Sequence, residues 1–157
     1  MKVYIAQSAE LPADLRPLLE ASLAEGFRFV ERLRDEWTSG VNRFANPGEA
    51  FFAARHQACL AGFCGLNRDP FSTDPAVGRL RHLYVAARYR RQGVGRALVQ
   101  HALAGAAEHF ALVRVRTDTR EADLFYRALG FSRPLSSRDA THELRLGGGS
   151  ATPGEPW

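Results

Sequence analysis

The stretch Leu80 to Val99 reads LRHLYVAARYRRQGVGRALV. Its first six residues are rich in β-formers and predict a short apolar strand. A basic turn with two glycines follows, and Leu98, Val99 and Ala102 then recur at helical spacing. The stretch therefore predicts a strand that runs through a glycine-containing turn into a helix.

This arrangement predicts an anion site at the start of the helix. The first turn of a helix has unpaired backbone N–H groups, and the helix dipole places about half a positive charge there. Gly93 and Gly95 allow a ligand to approach the backbone closely. The guanidinium groups of Arg90, Arg91 and Arg96 are suited to phosphate, so we interpret the turn as a pyrophosphate cradle.

Two familiar phosphate-binding motifs do not match this turn. A dinucleotide fingerprint needs a third glycine, and Leu98 stands at that position. A P-loop needs four residues between its glycines and a following lysine, but the only lysine of the chain is Lys2. Neither a Rossmann nor a P-loop protein is therefore predicted.

Arg90-x-x-Gly93-x-Gly95 resembles the acetyl-CoA signature of the GNAT superfamily of N-acetyltransferases. Ala122 to Phe131, with Phe125-Tyr126 and Gly130-Phe131, is similar to that family's A-x-x-F-Y-x-x-x-G-F segment. The resemblance covers residues 80 to 131 and implies an acetyl-CoA-dependent enzyme. Since members of the superfamily are often dimers, it also implies a homodimer as one option.

Composition predicts a single domain in a chain of 157 residues, and no apolar run approaches the roughly 18 to 20 residues that span a bilayer. The N-terminus lacks a signal-peptide pattern, and Cys59 and Cys64 are too few for a disulfide framework or a metal site. We therefore expect a cytoplasmic protein without a metal. The net charge is +4, but the expected phosphate-bearing ligand already explains the densest arginine cluster. We therefore do not expect nucleic acid as a partner.

The order of elements predicts an α/β fold. We expect a single GNAT-like domain over residues 1–146, with a mixed central sheet of about six or seven strands flanked by about four helices. The first helix is expected to begin near Pro12, and a strand is expected from Phe131 onward. Residues 147–157, with their glycines and prolines, are predicted to form a disordered tail.

The resemblance also implies roles for individual residues. The backbone of Leu83 and Val85 would pair with the pantetheine amides, and the Leu83 N–H would point at the thioester carbonyl, an interaction worth roughly 2.7 to 4 kcal/mol. Tyr126 would protonate the departing CoA sulfur. Thr119 stands where relatives often have a cofactor-contacting Asn, so its role is left open. The residues expected to bind acetyl-CoA are Leu83, Val85, Arg90, Arg91, Gln92, Gly93, Val94, Gly95 and Arg96.

The general base is not identified by the sequence. Many relatives carry a carboxylate two or four positions before the residue that matches Leu83, where this chain has Arg81 and Arg79. Period 2 places both arginines on the face of Leu83, so we expect them to bind an anionic group on the acceptor. The alternative is that they pair with an acid such as Asp69 or Asp74. His82 is expected on the opposite face in a structural role, and the remaining base candidates are Glu36, Glu49 and Glu143.

These observations favour direct acetyl transfer to the primary amine of a small-molecule or amino-acid-like acceptor. No cysteine has an evident activating partner, which disfavours a covalent acetyl-enzyme. A peptide N-terminus or a protein lysine is the second acceptor class. A non-catalytic acyl-CoA-binding module is the alternative of a different kind, and the presence of Tyr126 argues against it.

Overall fold

The computed structural model describes residues 1–147, so the predicted tail lies outside the described residues apart from Gly147. The strands are β1 (Tyr4–Gln7), β2 (Ala50–His56), β3 (Cys59–Arg68), β4 (Val77–Val85), β5 (Leu112–Val115) and β6 (His142–Arg145). The helices are α1 (Arg16–Ala24), α2 (Phe29–Ser39), α3 (Val94–Ala106) and α4 (Arg120–Ala128). The predicted α/β fold with a mixed sheet is confirmed.

The six strands form one sheet in sequence order. Neighbouring strands are antiparallel except β4 and β5, which α3 connects as a parallel crossover. β4 and β5 pair only where Val77–Arg79 lie beside Leu112–Arg114. Within the described chain, residues 80–85 therefore have no partner strand on their β5 side, and the sheet opens into a gap beside the cradle.

The helices cover both faces of the sheet and define two apolar clusters. On one face, α1 and α2 contribute Leu18, Leu19, Val30, Leu33 and Trp37, which pack with Phe51, Phe63 and Tyr84. On the other face, α3 and α4 contribute Val94, Leu98, Val99, Ala102 and Tyr126, with Leu83 and Val85 at the margin. The gap between β4 and β5 is thus bordered by α1 and α2 on one side and by α3 and α4 on the other.

A bulge in β4 changes which side chains face which helices. Gly65 pairs with Arg81 and Phe63 pairs with Tyr84, so Cys64 alone lies opposite both His82 and Leu83. His82 has a left-handed backbone, with φ of 61°.

The extra residue reverses the alternation, because Leu83 packs on the α3 and α4 side while Arg81 lies near Glu36 of α2. The expectation that Arg79 and Arg81 share the face of Leu83 is therefore wrong. The expectation that His82 lies on the face opposite Leu83 is right, since His82 stacks on Phe29.

Two local expectations also need correction. The first helix begins at Arg16, and it is Pro17, not Pro12, that occupies the first turn. The strand expected from Phe131 onward is reduced to one bridge between Ser132 and Glu143. Among the described residues, no helix is both long and apolar enough to cross a bilayer.

Candidate active site

The cradle has the backbone geometry of an anion site. α3 begins after Gly93, whose φ is 85°, and Arg91 two residues earlier is also left-handed, with φ of 61°. The first backbone hydrogen bond of the helix runs from the Ala97 N–H to the Gly93 carbonyl, at 3.0 Å, and no side chain caps this end. The preceding N–H groups are therefore available to a ligand.

Gly95 lies close to both β4 and α4, which border the gap. A methyl group at Gly95 would lie 3.5 Å from the Phe125 ring of α4 and 3.6 Å from the Val85 side chain of β4. The first turn of α3 thus lies between β4 and α4, next to the unpaired part of β4.

Arg90 is held away from the cradle by a partner that the sequence did not indicate. Its guanidinium makes two hydrogen bonds to Glu25 at the end of α1, of 2.7 and 2.9 Å, and its Nε donates to the Val85 carbonyl at 2.7 Å. Glu25 also accepts from the Tyr84 hydroxyl at 2.6 Å, and the bonds from Arg90 lower the pKa of Glu25. Arg90 therefore links α1 to the end of β4.

The other basic residues of the turn are less constrained. Arg91 lies 3.8 Å from Glu121, but both side chains are almost fully exposed, so the pair is weak. Arg96 is exposed on the first turn of α3 and forms no ion pair within the described chain. Gln92 donates to the Arg88 carbonyl at 3.1 Å. Arg91 and Arg96 are thus the turn's two guanidinium groups that can reach an anion.

Tyr126 lies beside the bulge on the Leu83 side. It is 5% exposed, and its ring packs edge-on against Phe125 and Phe131. Burial raises the pKa of its hydroxyl, and the buried Cys64, which lies opposite the bulge, adds to the increase. The Tyr126 hydroxyl makes no hydrogen bond to another described residue. The fold therefore places the predicted acid in the same apolar cluster as Leu83.

Thr119 performs a structural role that the sequence left open. Its hydroxyl oxygen accepts from the Ala122 N–H at 3.1 Å and caps the start of α4. The hydroxyl proton is not used in this bond.

The two arginines of β4 have separate environments. Arg79 is 5% exposed and forms a buried ion pair with Asp69 at 3.2 Å, as in the alternative stated from the sequence. Arg81 is half-buried and lies 3.7 Å from Glu36 of α2. Arg81 therefore lies on the α2 side of the gap, while Arg79 is buried in its ion pair with Asp69.

Two of the candidate bases are already engaged away from the gap, as Arg79 is. Glu49 accepts from the backbone of Asn46 and Arg68, and Glu143 lies 3.4 Å from Arg114. Glu36 and His82 remain near the gap on the α2 side.

The two glycines of the cradle give a first prediction. Gly93→Ala places a side chain on a left-handed backbone and is expected to lower the free energy of unfolding by about 1–2 kcal/mol. Gly95→Ala is the matched control, because its methyl group would make only ordinary contacts and no left-handed φ is involved. Urea unfolding of both variants measures the difference. An equal effect of the two substitutions would contradict the backbone geometry at Gly93.

Comparison with known proteins agrees with this geometry. The chain matches the Acetyltransferase (GNAT) family over residues 14–131. The N-alpha-acetyltransferase RimI of Mycobacterium tuberculosis is 32% identical over 101 residues, which cover 63% of this chain and 63% of that protein. The match thus spans less than two thirds of that relative's length.

Solved structures show the same fold. A proposed acetyltransferase from Exiguobacterium sp. 255-15 is 29% identical, with a TM-score of 0.81 and coverage of 92% of this chain and 94% of the other. The Escherichia coli N-acetyltransferase YhbS, solved in complex with CoA, is 23% identical, with a TM-score of 0.66 and coverage of 92% and 81%.

Proposed function

Because the chain belongs to the GNAT acetyltransferase family, we propose that it transfers the acetyl group of acetyl-CoA directly to a primary amine. The observation that carries this proposal is the convergence at one gap of the cradle, the unpaired part of β4 and Tyr126.

The residues present fit acetyl-CoA. The uncapped start of α3 and the side chains of Arg91 and Arg96 suit a pyrophosphate. Residues 80–85 offer backbone groups to an extended amide chain, apart from the Val85 carbonyl, which accepts from Arg90. Bound acetyl-CoA supplies the thioester that an amine attacks. The CoA complex of the E. coli relative supports this choice of cosubstrate.

The chain's own residues then have defined tasks. The Leu83 N–H donates a hydrogen bond to the oxygen that becomes negative during attack. Tyr126 holds the proton needed by the departing sulfur, since a phenol is protonated at neutral pH. Burial raises the pKa of the Cys64 thiol to about 12, which argues against an acetyl-cysteine intermediate.

The acceptor we propose is a small or amino-acid-like amine that carries an anionic group. Arg81, which lies on the α2 side of the gap and like Arg32 of α2 is near His82, would bind that group. A peptide N-terminus is the second candidate acceptor, and the likeness to an N-alpha-acetyltransferase favours it. Both free cysteines suit a reducing compartment, so we propose a cytoplasmic location.

Release of free thiol from acetyl-CoA tests the proposal, with a panel of amines, amino acids and peptides as acceptors. Turnover with one acceptor class would support it and identify that class. If CoA raises the melting temperature but no acceptor is turned over, the protein is a binding module and the proposed enzyme activity is refuted.

Arg81→Ala gives a second prediction. A charge-assisted hydrogen bond is worth about 1.5–3 kcal/mol, so KM for an anionic acceptor should rise by about 10-fold or more, with little change in kcat. The same acceptor with its carboxylate amidated should show no such increase. Arg34→Ala, on the exposed face of α2, is the matched control. An unchanged KM in Arg81→Ala would refute anion binding by this residue.

A further inference from the structure

His82 combines two unfavourable features. Its backbone is left-handed, with φ of 61°, and its side chain is buried, with 8% of the residue exposed. Neither ring nitrogen forms a hydrogen bond to any described residue. The ring stacks on Phe29 at 6.3 Å and meets Phe44 edge-on at 6.2 Å.

Packing does not account for a histidine at this position. A phenylalanine could fill the same aromatic pocket without burying unpaired nitrogens, and an asparagine or glycine would adopt the left-handed backbone more readily. Strain and unpaired polar groups concentrate at functional sites, where a ligand group supplies the missing interaction.

The bulge directs His82 to the α2 side of the sheet, where its ring packs against Phe29 and Phe44. His82 immediately precedes Leu83, but the two side chains face opposite sides of the sheet. The charged groups that act on His82 are Arg32 of α2 and Arg81 of β4 itself, and Arg81 lies 3.7 Å from Glu36 of α2. An amine bound through an anionic group on Arg81 would thus lie beside the imidazole.

The imidazole is neutral in the free protein. Burial lowers its pKa to about 3, and the positive charges of Arg81 and Arg32 contribute to the decrease. The Phe29 carbonyl opposes this decrease without reaching hydrogen-bond geometry. A neutral imidazole always has one nitrogen with a free lone pair, so His82 can accept a hydrogen bond from an uncharged amine.

We propose that His82 binds the acceptor amine through its free ring nitrogen and takes the amine's proton as the new amide forms. This role rests on the proposed acetyl transfer. The nitrogen becomes strongly acidic only while its bond to the acetyl carbon forms, so a weakly basic imidazole suffices at that moment.

The protons and bonds balance across the two faces of the sheet. A nitrogen–carbon bond forms and a carbon–sulfur bond breaks. His82 receives the N–H proton on the α2 side, and Tyr126 gives its hydroxyl proton to the sulfur on the α4 side. His82 then returns a proton to solvent and Tyr126 regains one.

His82→Asn is the first test, since asparagine tolerates a left-handed backbone. With the fastest amino acid or dipeptide of the thiol-release panel, kcat should fall by about 100-fold, while KM for acetyl-CoA stays within about twofold. The melting temperature should stay close to that of the wild type, because asparagine eases the left-handed backbone while its own buried amide replaces the unpaired imidazole. His101→Asn, at an exposed position of α3, should change none of these values. A kcat within threefold of the wild type, or a melting temperature lowered by several degrees, would overturn the proposal.

Imidazole ¹⁵N NMR of the wild-type protein is the second test, and it needs binding but no turnover. With CoA present, titration of glycylglycine is expected to shift the His82 ring nitrogens and leave those of His101 unchanged. If backbone signals of Arg81 and its neighbours respond to glycylglycine while the His82 ring does not, or if no signal responds, the assignment is refuted. Absence of turnover with every amine would refute the proposed function separately, whatever the NMR result.

Discussion

Tyr126→Phe is expected to lower kcat by about 100-fold or more, because loss of a positioned general acid removes a factor of this size. The substitution deletes only a hydroxyl that makes no hydrogen bond within the described residues, and the ring packing on Phe125 and Phe131 is retained. KM for acetyl-CoA and the melting temperature should therefore remain close to wild-type values. Thiol-release kinetics and thermal unfolding measure these quantities.

The pH dependence provides a further test of Tyr126. An acid works only while protonated, and the raised pKa of Tyr126 moves the loss of its proton above the ordinary value near 10. The wild-type kcat should thus show no decrease up to about pH 9.5. Tyr4→Phe, which removes a hydroxyl from a largely exposed side chain of β1, is the matched control. A kcat in Tyr126→Phe within threefold of the wild type would assign the proton to another group.

The sequence predicts the strand–turn–helix unit around the cradle well because its signals are local. Gly93 stands where the backbone is left-handed. The spacing of the apolar residues of α3 directly indicates which face of the helix is buried. The bulge at His82 has no such signal, since a single extra residue in one strand depends on the register with β3. Strict alternation without the bulge would place Arg81 and Leu83 on one face, and this is why the sequence-based prediction of their shared face is wrong.

The ion-pair partners of the charged residues also cannot be identified from the sequence. Arg90 matches the acetyl-CoA signature, but Glu25 is 65 positions away in the chain and is brought to it only by the packing of α1. Glu25 stands just before Gly26 with no motif to mark it. Arg79 could be paired with Asp69 in principle, but the choice between Asp69 and an acceptor depended on how the loop after β3 folds over the sheet.

The second large effect is expected from Asp69→Ala, which should lower the free energy of unfolding by about 3–5 kcal/mol. The Asp69 and Arg79 side chains are 1% and 7% exposed, and Arg114 lies 3.7 Å from the same carboxylate. Among the described residues, removing the carboxylate leaves the buried Arg79 guanidinium with the Asp139 carbonyl as a hydrogen-bond acceptor and the Phe71 ring beneath it. Denaturant unfolding measures the loss.

A double variant separates the structural role of Arg79 from a role in binding the acceptor. Asp69→Ala with Arg79→Met removes both buried charges, so most of the lost stability should return. Asp35→Ala, at an exposed pair on α2, is the control and should cost less than about 1 kcal/mol. If Arg79 only supports the sheet, the refolded double variant keeps the wild-type KM for the acceptor, whereas Arg81→Ala does not. A raised KM in the double variant would instead indicate that Arg79 binds the acceptor. The ion pair with Asp69 would then belong to the free protein, and the anionic group of the acceptor would replace Asp69 on binding.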